Sequence, residues 1–230
     1  MDGAFGEPDD VSQLIVSQRR YYDLRAPDYG DPTRPADRKD PGLIDAAVMR
    51  ELIDEFRPQG DVLELACGSG AFTRELVRHA RSLTAVDGSP RMLERNREAV
   101  SAPHVEYVCA DLFAWRPTRQ YDAVFFGFWL SHVPPTLVEA FWALVRSCLR
   151  PGGRAAFVDE GPRARVFEAS HTESSVPVAR RTLSDGTTFD IVKVFWEPGR
   201  LQESLRDRGW HAHVRPVGDA FFYGVAEPPA

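Results

Sequence analysis

The sequence predicts an α/β protein in which a seven-stranded, mostly parallel sheet carries helices on both faces and closes with an antiparallel strand pair. Two observations predict this architecture. Short apolar runs alternate with amphipathic helical patterns from residue 62 to about residue 160, which is the rhythm of consecutive strand–helix–strand units. Two final apolar runs, at residues 210–214 and 221–225, are joined by a short loop that contains glycine. Such a pair is typical of adjacent antiparallel strands.

Each element is predicted from its own local pattern. The parallel strands are short apolar runs at residues 62–66, 83–86, 105–109, 121–129 and 155–158. The helices repeat apolar residues at steps of three and four, at residues 11–24, 43–56, 71–81, 91–100, 137–149 and 197–208. Ser89 and Pro90 fit an N-cap followed by proline at the first helical position.

Two segments are expected outside this regular alternation. Residues 1–42 are predicted to form an N-terminal lid helix and loop, and residues 43–230 the main domain. Residues 161–196 form a long insertion after the fifth strand, and Ser184-Asp185-Gly186 within it is a hairpin signal. Together with the N-terminal helix, this insertion is expected to roof a ligand pocket. The acidic first ten residues lack the apolar segment of a signal peptide.

Composition excludes several classes of protein. The 230-residue chain has 28 Lys and Arg against 34 Asp and Glu, a net charge of −6. We therefore expect no nucleic-acid partner, because phosphate contacts need a basic surface. No apolar run reaches about 18 residues, so no membrane partner is expected. Cys67, Cys109 and Cys148 have no metal-ligand spacing, so we expect reduced thiols, no metal and a cytoplasmic protein.

The most informative stretch is VLELACGSG at residues 62–70, an apolar run that ends in a Gly-x-Gly turn and is followed by a helical pattern. Glycines let the backbone turn sharply and approach a ligand closely. The start of the helix offers free N–H groups beside that turn. The stretch is typical of a nucleotide-binding strand–turn–helix unit. The dinucleotide fingerprint requires a third glycine, and Thr73 stands at that position.

This stretch resembles motif I of the class I S-adenosylmethionine (SAM)-dependent methyltransferases, commonly written E/D-x-G/A-C-G-x-G, with Ala66 in place of the usual glycine. Residues 21–29, YYDLRAPDY, look like the Tyr-Tyr-Asp-x-x-Ala-x-x-Tyr lid helix of the small-molecule enzymes of that family. The resemblance covers residues 18 to 226. It implies a Rossmann-like fold with SAM bound outside the carboxyl ends of the strands, where the strand order switches.

The resemblance also implies which residues hold the cofactor. Asp87 follows Gly68 by about twenty residues, where a carboxylate takes the ribose hydroxyls. Asp111 and Leu112 match the family position that contacts adenine. Glu64 matches the position that orients the methionine moiety of SAM. In the family, a tyrosine of the lid helix reaches the carboxylate end of the cofactor. The full set of expected cofactor contacts is Tyr21, Glu64, Ala66, Gly68, Gly70, Asp87, Gly88, Met92, Asp111, Leu112 and Phe128.

Two residues are candidates for a base. Methyl transfer needs one if the acceptor is a hydroxyl or an acidic C–H group, and less so for a free amine. His132 lies just past the fourth strand and has an ordinary pKa suited to neutral pH; Glu160 follows the fifth strand. The alternatives are a histidine that only orders its loop and an acid on a surface loop.

The expected function is methyl transfer from SAM to the O, N or C atom of a small acceptor, in secondary metabolism, by a monomer or homodimer. An apolar or aromatic acceptor is expected from the aromatic residues near the pocket, Phe128, Trp129, Phe167, Phe189, Phe195 and Trp196. Two alternatives stay open: a methyltransferase-fold protein that binds SAM without transfer, and an NAD-dependent oxidoreductase. Methylation of exocyclic amines of nucleic acids is disfavoured, because the fourth strand ends in Gly-Phe-Trp-Leu rather than Asn/Asp-Pro-Pro-Tyr/Phe.

Overall fold

A computed structural model describes residues 11–29, 44–168, 171–172 and 175–229. The predicted alternation of strands and helices is confirmed. The helices are α1 (Val11–Arg25), α2 (Ala46–Phe56), α3 (Thr73–Leu76), α4 (Pro90–Val100), α5 (Val138–Cys148) and α6 (Pro198–Asp207). The strands are β1 (Asp61–Leu65), β2 (Ser82–Asp87), β3 (Val105–Cys109), β4 (Tyr121–Gly127), β5 (Leu149–Glu160), β6 (His171–Thr172), β7 (Val178–Thr182), β8 (Thr188–Val192), β9 (His211–Val217) and β10 (Phe221–Glu227). The acidic N-terminus and most of the predicted loop before residue 43 lie outside the described residues.

The main sheet has seven strands in the order β3-β2-β1-β4-β5-β10-β9. The five strands from β3 to β5 are parallel, and β10 runs antiparallel to both β5 and β9. The chain builds outward from β1 to β3 and then returns to place β4 on the other side of β1. This reversal opens a crevice at the carboxyl ends of β1 and β4.

Side chains that alternate along the central strands fill two cores. Phe126 packs on one face of the sheet with Phe157 and with Trp142 of α5. The neighbouring Phe125 packs on the opposite face with Phe56 of α2. Successive strand residues point to opposite faces, so a strand that is apolar throughout requires helices on both sides. The predicted layered fold is confirmed.

The boundaries differ from the predictions where the backbone leaves regular geometry. Strand β4 ends at Gly127, two residues earlier than predicted, because Phe128 has a φ of +55° and cannot continue a strand. Strand β5 begins at Leu149, six residues earlier than predicted, and a register shift against β4 accommodates the extra length.

The helix after the glycine turn is shorter than the predicted residues 71–81. The N–H of Val77 donates to Thr73 O, four residues back, whereas that of His79 donates to Leu76 O, three residues back. Because the hydrogen bonds change between these two spacings, regular α-helix covers only Thr73–Leu76.

The insertion forms a small sheet of its own, which we call the cap sheet (β6, β7 and β8, all antiparallel). The predicted hairpin between β7 and β8 is confirmed. The lid helix α1 packs on this sheet through Leu14, which meets Val176 and Val192, and Tyr21, which meets Ala179 and Ile191. Lid and cap therefore meet in two hydrophobic clusters, although the two segments are far apart in sequence.

None of the described helices is long and apolar enough to cross a membrane. Across the described ranges, no group of three or more His, Cys, Asp or Glu side chains is placed to hold a metal ion.

Gly127, the last residue of β4, tests how tightly this end of the sheet is packed. A Cβ added there would lie 2.5 Å from the buried ring of Phe72, which itself contacts Phe125 and Phe128. We expect Gly127→Ala to lower the free energy of unfolding by about 1–3 kcal/mol, measured by urea denaturation. Gly199→Ala is the control, since a Cβ there meets nothing within 4 Å; equal stability of the two variants would contradict the packing.

Candidate active site

The Gly-x-Gly turn lies at the carboxyl end of β1, beside the crevice. Ala66, Gly68 and Gly70 all have positive φ values, of 53°, 52° and 95°. A Cβ on Gly68 would meet nothing within 4 Å, whereas one on Gly70 would lie 2.7 Å from Asn96 Oδ1. The turn is therefore open at Gly68 and packed at Gly70. Ala66 adopts a left-handed conformation at the position where the family usually has glycine, at a cost of about 1–2 kcal/mol.

A buried network of side chains holds the turn from beneath. Asn96 Nδ2 donates to Gly68 O (3.2 Å) and to Thr73 Oγ1 (2.8 Å), and Tyr107 donates its hydroxyl to Asn96 Oδ1 (3.1 Å). Thr73 donates in turn to Glu64 Oε2 at 2.6 Å. Burial raises the pKa of Glu64 to about 8. This carboxyl thus lies under the turn with Thr73 as its partner, and its predicted contact with the methionine moiety stays a prediction.

Asp87 joins the end of β2 to the turn. Its carboxylate accepts the N–H of Gly68 at 2.9 Å and the N–H of Ser89 at 2.8 Å. Burial raises the pKa of Asp87, while these backbone N–H groups act in the opposite direction. Asp87 is half-buried and reaches the open part of the turn, as the ribose assignment requires.

The predicted adenine residues follow β3 and begin α4. Asp111 accepts the N–H of Phe113 at 3.0 Å and the guanidinium of Arg19 at 3.4 Å. Met92 and Leu112 are both buried, and their contacts with adenine stay predictions. Phe128, at the end of β4, packs its ring between Phe72 and Phe221.

The arrangement fits SAM on its own chemistry. Asp111 follows β3, Asp87 ends β2, and the open glycine turn follows β1. The next strand in the sheet is β4. Asp87 would hold the ribose and Asp111 the adenine, so the amino-acid end of the cofactor would lie toward β4.

The lid helix spans this row of strand ends. Arg19 lies on Asp111, and its Cδ would be 3.2 Å from a Cβ on Gly88. Asp23 accepts the Ser89 hydroxyl at 2.7 Å. One face of the lid helix thus covers the predicted adenosine site, while Tyr21 on another face packs against the ring of Phe189 in the cap sheet. The predicted contact of Tyr21 with the cofactor stays a prediction; the adjacent Tyr22 contacts His132.

His132 is buried and fully engaged. It ends a short 3₁₀ turn, Leu130–His132, that follows β4. Its Nδ1 lies 2.8 Å from Val192 O and its Nε2 lies 2.8 Å from the Tyr22 hydroxyl. A carbonyl oxygen can only accept, so Nδ1 carries the proton, and in a neutral ring Nε2 then accepts from Tyr22. Burial holds the pKa of His132 well below its ordinary value, and the charges of Lys193 and Arg181 lower it further.

Glu160 belongs to a buried cluster at the end of β5. Its carboxylate lies 2.8 Å from Lys193 Nζ, which also donates to Ser131 Oγ at 3.0 Å. Asp159, fully buried, accepts the N–H of Ser131 at 2.8 Å. The two candidate bases thus lie at the ends of neighbouring strands, His132 after β4 and Glu160 at the end of β5, and their roles as bases stay predictions. Glu160, however, is already neutralised by an ammonium group.

A second buried ion pair lies in the same region. Arg181 of β7 donates from two nitrogens to the carboxylate of Glu168, one of them at 2.7 Å, and both side chains are almost inaccessible. Burial alone would lower the pKa of Arg181, but the hydrogen bond and charge of Glu168, with the nearby Tyr22 and Tyr21, raise it. Arg181 is therefore a permanent buried cation.

The predicted aromatic residues are mostly occupied with other neighbours. Trp129 packs on Phe113, and Trp196 donates its N–H toward Leu130 O. Phe195 lies 5.5 Å from Lys193 Nζ. The groups around His132 are instead polar, and the sequence reasoning missed Gln18, Tyr22, Ser131, Asp159, Arg181 and Lys193. One signal was available, since Lys193 is one of two lysines in the chain.

Comparison with known proteins identifies the family. A methyltransferase-domain profile matches residues 62–153. The protein in a solved DhpI–SAH complex has 39% sequence identity to this chain. The two structures align with a TM-score of 0.80 over 96% of this chain and 99% of that one. A DhpI–SAM–HEP complex is 41% identical, with a TM-score of 0.78 over 94% and 98%.

Curated relatives match over shorter stretches. The ubiquinone biosynthesis O-methyltransferase of Xanthomonas campestris is 30% identical over 134 residues, which are 55% of this chain and 52% of that enzyme. Nodulation protein S of Rhizobium tropici is 31% identical over 68 residues, 29% of each chain. The chain thus spans about half or less of these two relatives.

The fold and the glycine turn define a SAM-binding α/β protein. The match to DhpI over nearly the whole of both chains shows that this chain belongs to the class I SAM-dependent methyltransferases. Its cofactor is SAM, and the oxidoreductase alternative is thereby set aside.

The ribose assignment of Asp87 is tested by binding. Asp87→Ala should weaken S-adenosylhomocysteine (SAH) by about 1–3 kcal/mol, because both ribose hydroxyls and the Gly68 N–H lose their acceptor. Isothermal titration calorimetry measures the change. Asp219→Ala, which removes an exposed acid from the turn between β9 and β10, is the control and should bind as wild type. Unchanged affinity in Asp87→Ala would rule out the assignment.

Proposed function

We propose that this protein transfers the methyl group of SAM to an oxygen of a small acceptor, and that this oxygen is already an anion when it reacts. When bound, SAM supplies an electrophilic sulfonium methyl, and the acceptor oxygen forms its new bond as the S–C bond breaks. The protein supplies position and a dry cavity. One relative by name is an O-methyltransferase, which supports oxygen as the acceptor atom.

The observation that carries this proposal is the state of His132. Both of its ring nitrogens are engaged, one by Val192 O and the other by the Tyr22 hydroxyl. A lone pair that already accepts a hydrogen bond is poorly placed to take a proton from an acceptor. Glu160, the other candidate base, is paired with Lys193. An acceptor that arrives ionised needs neither residue as a base.

Buried hydrogen-bond donors near His132 favour an anionic acceptor. Lys193 and Arg181 are both buried, and both lower the pKa of His132. Each is paired with a carboxylate, Lys193 with Glu160 and Arg181 with Glu168, so together they add no net positive charge. Both side chains are donors without acceptors, and a charge-assisted hydrogen bond from either would hold an acceptor oxyanion. A small acceptor with a carboxylate, an acidic phenol or a phosphorus oxyanion fits this setting. The apolar or aromatic acceptor predicted from the sequence remains the alternative. The predicted role in secondary metabolism stays a prediction.

We further propose that α1 opens to admit both ligands and closes for transfer. It is held by contacts to two separate parts of the molecule: Ser17 donates to Asp190 O of the cap sheet, and Asp23 accepts from Ser89 of the main domain. Lids of this kind exclude water from the reaction. A closed lid would also shield a reactive oxyanion.

The role of charge is tested by removing a complete ion pair. Lys193→Met with Glu160→Gln removes both charges together, which avoids leaving Glu160 as a buried carboxylate without its ammonium partner. We expect the KM of an anionic acceptor to rise about tenfold or more, in line with a lost charge-assisted contact, while SAH affinity is kept. SAH formation with a panel of carboxylates, phenols, phosphonates and amines provides the measurement.

The matched control is Arg180→Gln with Asp190→Asn, which removes an exposed ion pair between β7 and β8 of the cap sheet. It should leave the acceptor KM within about twofold of wild type, because an exposed pair contributes little. Turnover of amines or neutral aromatics in preference to anions would contradict the proposal.

The base question is tested through His132. Because its pKa is lowered well below the ordinary 6.5, His132 stays neutral from pH 6 to pH 8. Activity with an ionised acceptor should be flat over that range, and His132→Ala should lower turnover less than about tenfold. A general base would give about 10²- to 10⁴-fold. A loss of that size in a folded variant, together with a wild-type rate that falls as the pH is lowered through 6.5, would restore His132 as the base.

A further inference from the structure

Gln18 occupies an unusual position on the lid helix. The buried residues of α1 are Leu14, Gln18 and Tyr21, which lie on one helical stripe. Leu14 and Tyr21 pack into apolar clusters of the cap sheet. Gln18, between them, is equally buried, with 3% of its surface exposed. An amide in the middle of an apolar stripe requires hydrogen-bond partners for both of its ends.

One end of this amide has a partner. Gln18 Nε2 lies 3.2 Å from the carbonyl oxygen of His132. A carbonyl oxygen only accepts, so this contact fixes which end of the amide is the NH2 group. The oxygen Oε1 is therefore directed away from that carbonyl. Within the described residues it is buried and has no hydrogen-bond partner.

The unpartnered oxygen of Gln18 differs from the two buried indole groups that also lack a hydrogen-bond partner within the described residues. The indole N–H groups of Trp129 and Trp142 also lack a partner among the described residues, but both lie among aromatic rings, whose faces accept N–H groups weakly. An amide oxygen has no such substitute. Leaving it unsatisfied costs roughly as much as a lost hydrogen bond, so a ligand that brings a donor would be bound more tightly.

The location indicates which ligand brings that donor. Gln18 and Tyr22, one helical turn apart, both contact His132, which follows the end of β4. With adenine at β3 and ribose at β2, the amino-acid end of SAM lies toward β4. Its ammonium group needs an acceptor there. Glu64, the acid expected to serve the methionine moiety, is bonded to Thr73 beneath the turn.

We propose that Gln18 Oε1 accepts a hydrogen bond from the ammonium group of bound SAM, so that the lid helix recognises the amino-acid end of the cofactor directly. Lid closure and cofactor occupancy are then coupled through one side chain, because the same amide donates to His132 and accepts from the ligand. This inference depends on SAM binding, which the family establishes, and not on the identity of the methyl acceptor.

The test compares two ligands in the same protein. The first is SAH; the second is its analogue with hydrogen in place of the amino group. Isothermal titration calorimetry of Gln18→Met, which keeps the length of the side chain, should show SAH weakened about tenfold or more, as expected for a hydrogen bond to a charged group. The analogue should change less than about twofold. Gln18→Asn, which withdraws the oxygen, should behave in the same way.

Tyr22→Phe is the matched control. It breaks the other contact between lid and His132 but leaves Gln18 Oε1 in place, so SAH and the analogue should weaken by the same factor. The ratio of the two affinities is read within each variant, and a partly destabilised protein therefore still reports it. If Gln18→Met weakens both ligands equally, or neither, the proposal is overturned and Gln18 serves only to hold the lid. No methyl transfer is measured, so a wrong proposal for the acceptor would leave this result intact.

Discussion

The imidazole of His132 is the junction on which the closed crevice depends. Its Nδ1–H donates to the cap sheet at Val192, its Nε2 accepts from Tyr22 of the lid, and its own carbonyl accepts from Gln18. Three segments that are distant in sequence thereby meet at one residue beyond the end of β4. The junction requires a neutral ring, because an imidazolium has no lone pair to accept from Tyr22. Burial and two nearby cations keep it neutral.

The same junction explains how a small lid can serve both ligands. Along α1, Arg19 and Asp23 lie over the predicted adenosine site, Gln18 and Tyr22 lie against His132, and Tyr21 lies on the cap sheet. The predicted cofactor site, the segment around His132 and the cap sheet are thus contacted by successive faces of one helix. In our proposal the acceptor side is built from the paired charges of β5, β7 and the segment after β8, so its chemistry can differ from that of relatives without changing the cofactor turn.

Local sequence patterns predicted the elements, and they were enough to place the expected cofactor residues on or just after β1, β2 and β3, because both depend on local chemistry. The contacts of these residues with SAM stay predictions. The caps, periodicities and glycines specify strand, turn and helix within a few residues, and Asp87 follows the turn at a fixed distance. The acceptor half depends on contacts between segments far apart. Nothing near Gln18 or Tyr22 in sequence shows that they meet His132, and nothing near Glu160 shows that Lys193 neutralises it. The end of β4 was missed for a different reason, since the positive φ of Phe128 breaks the expectation for a bulky residue.

The most direct test of this account is the protonation state of His132 in solution. Nitrogen-15 NMR of the imidazole, assigned by the loss of its signals in His132→Asn, distinguishes the two neutral tautomers from the imidazolium. The account predicts a neutral ring with its proton on Nδ1, unchanged between about pH 6 and pH 8. A ring that titrates near pH 6.5, or one that carries its proton on Nε2, would contradict it.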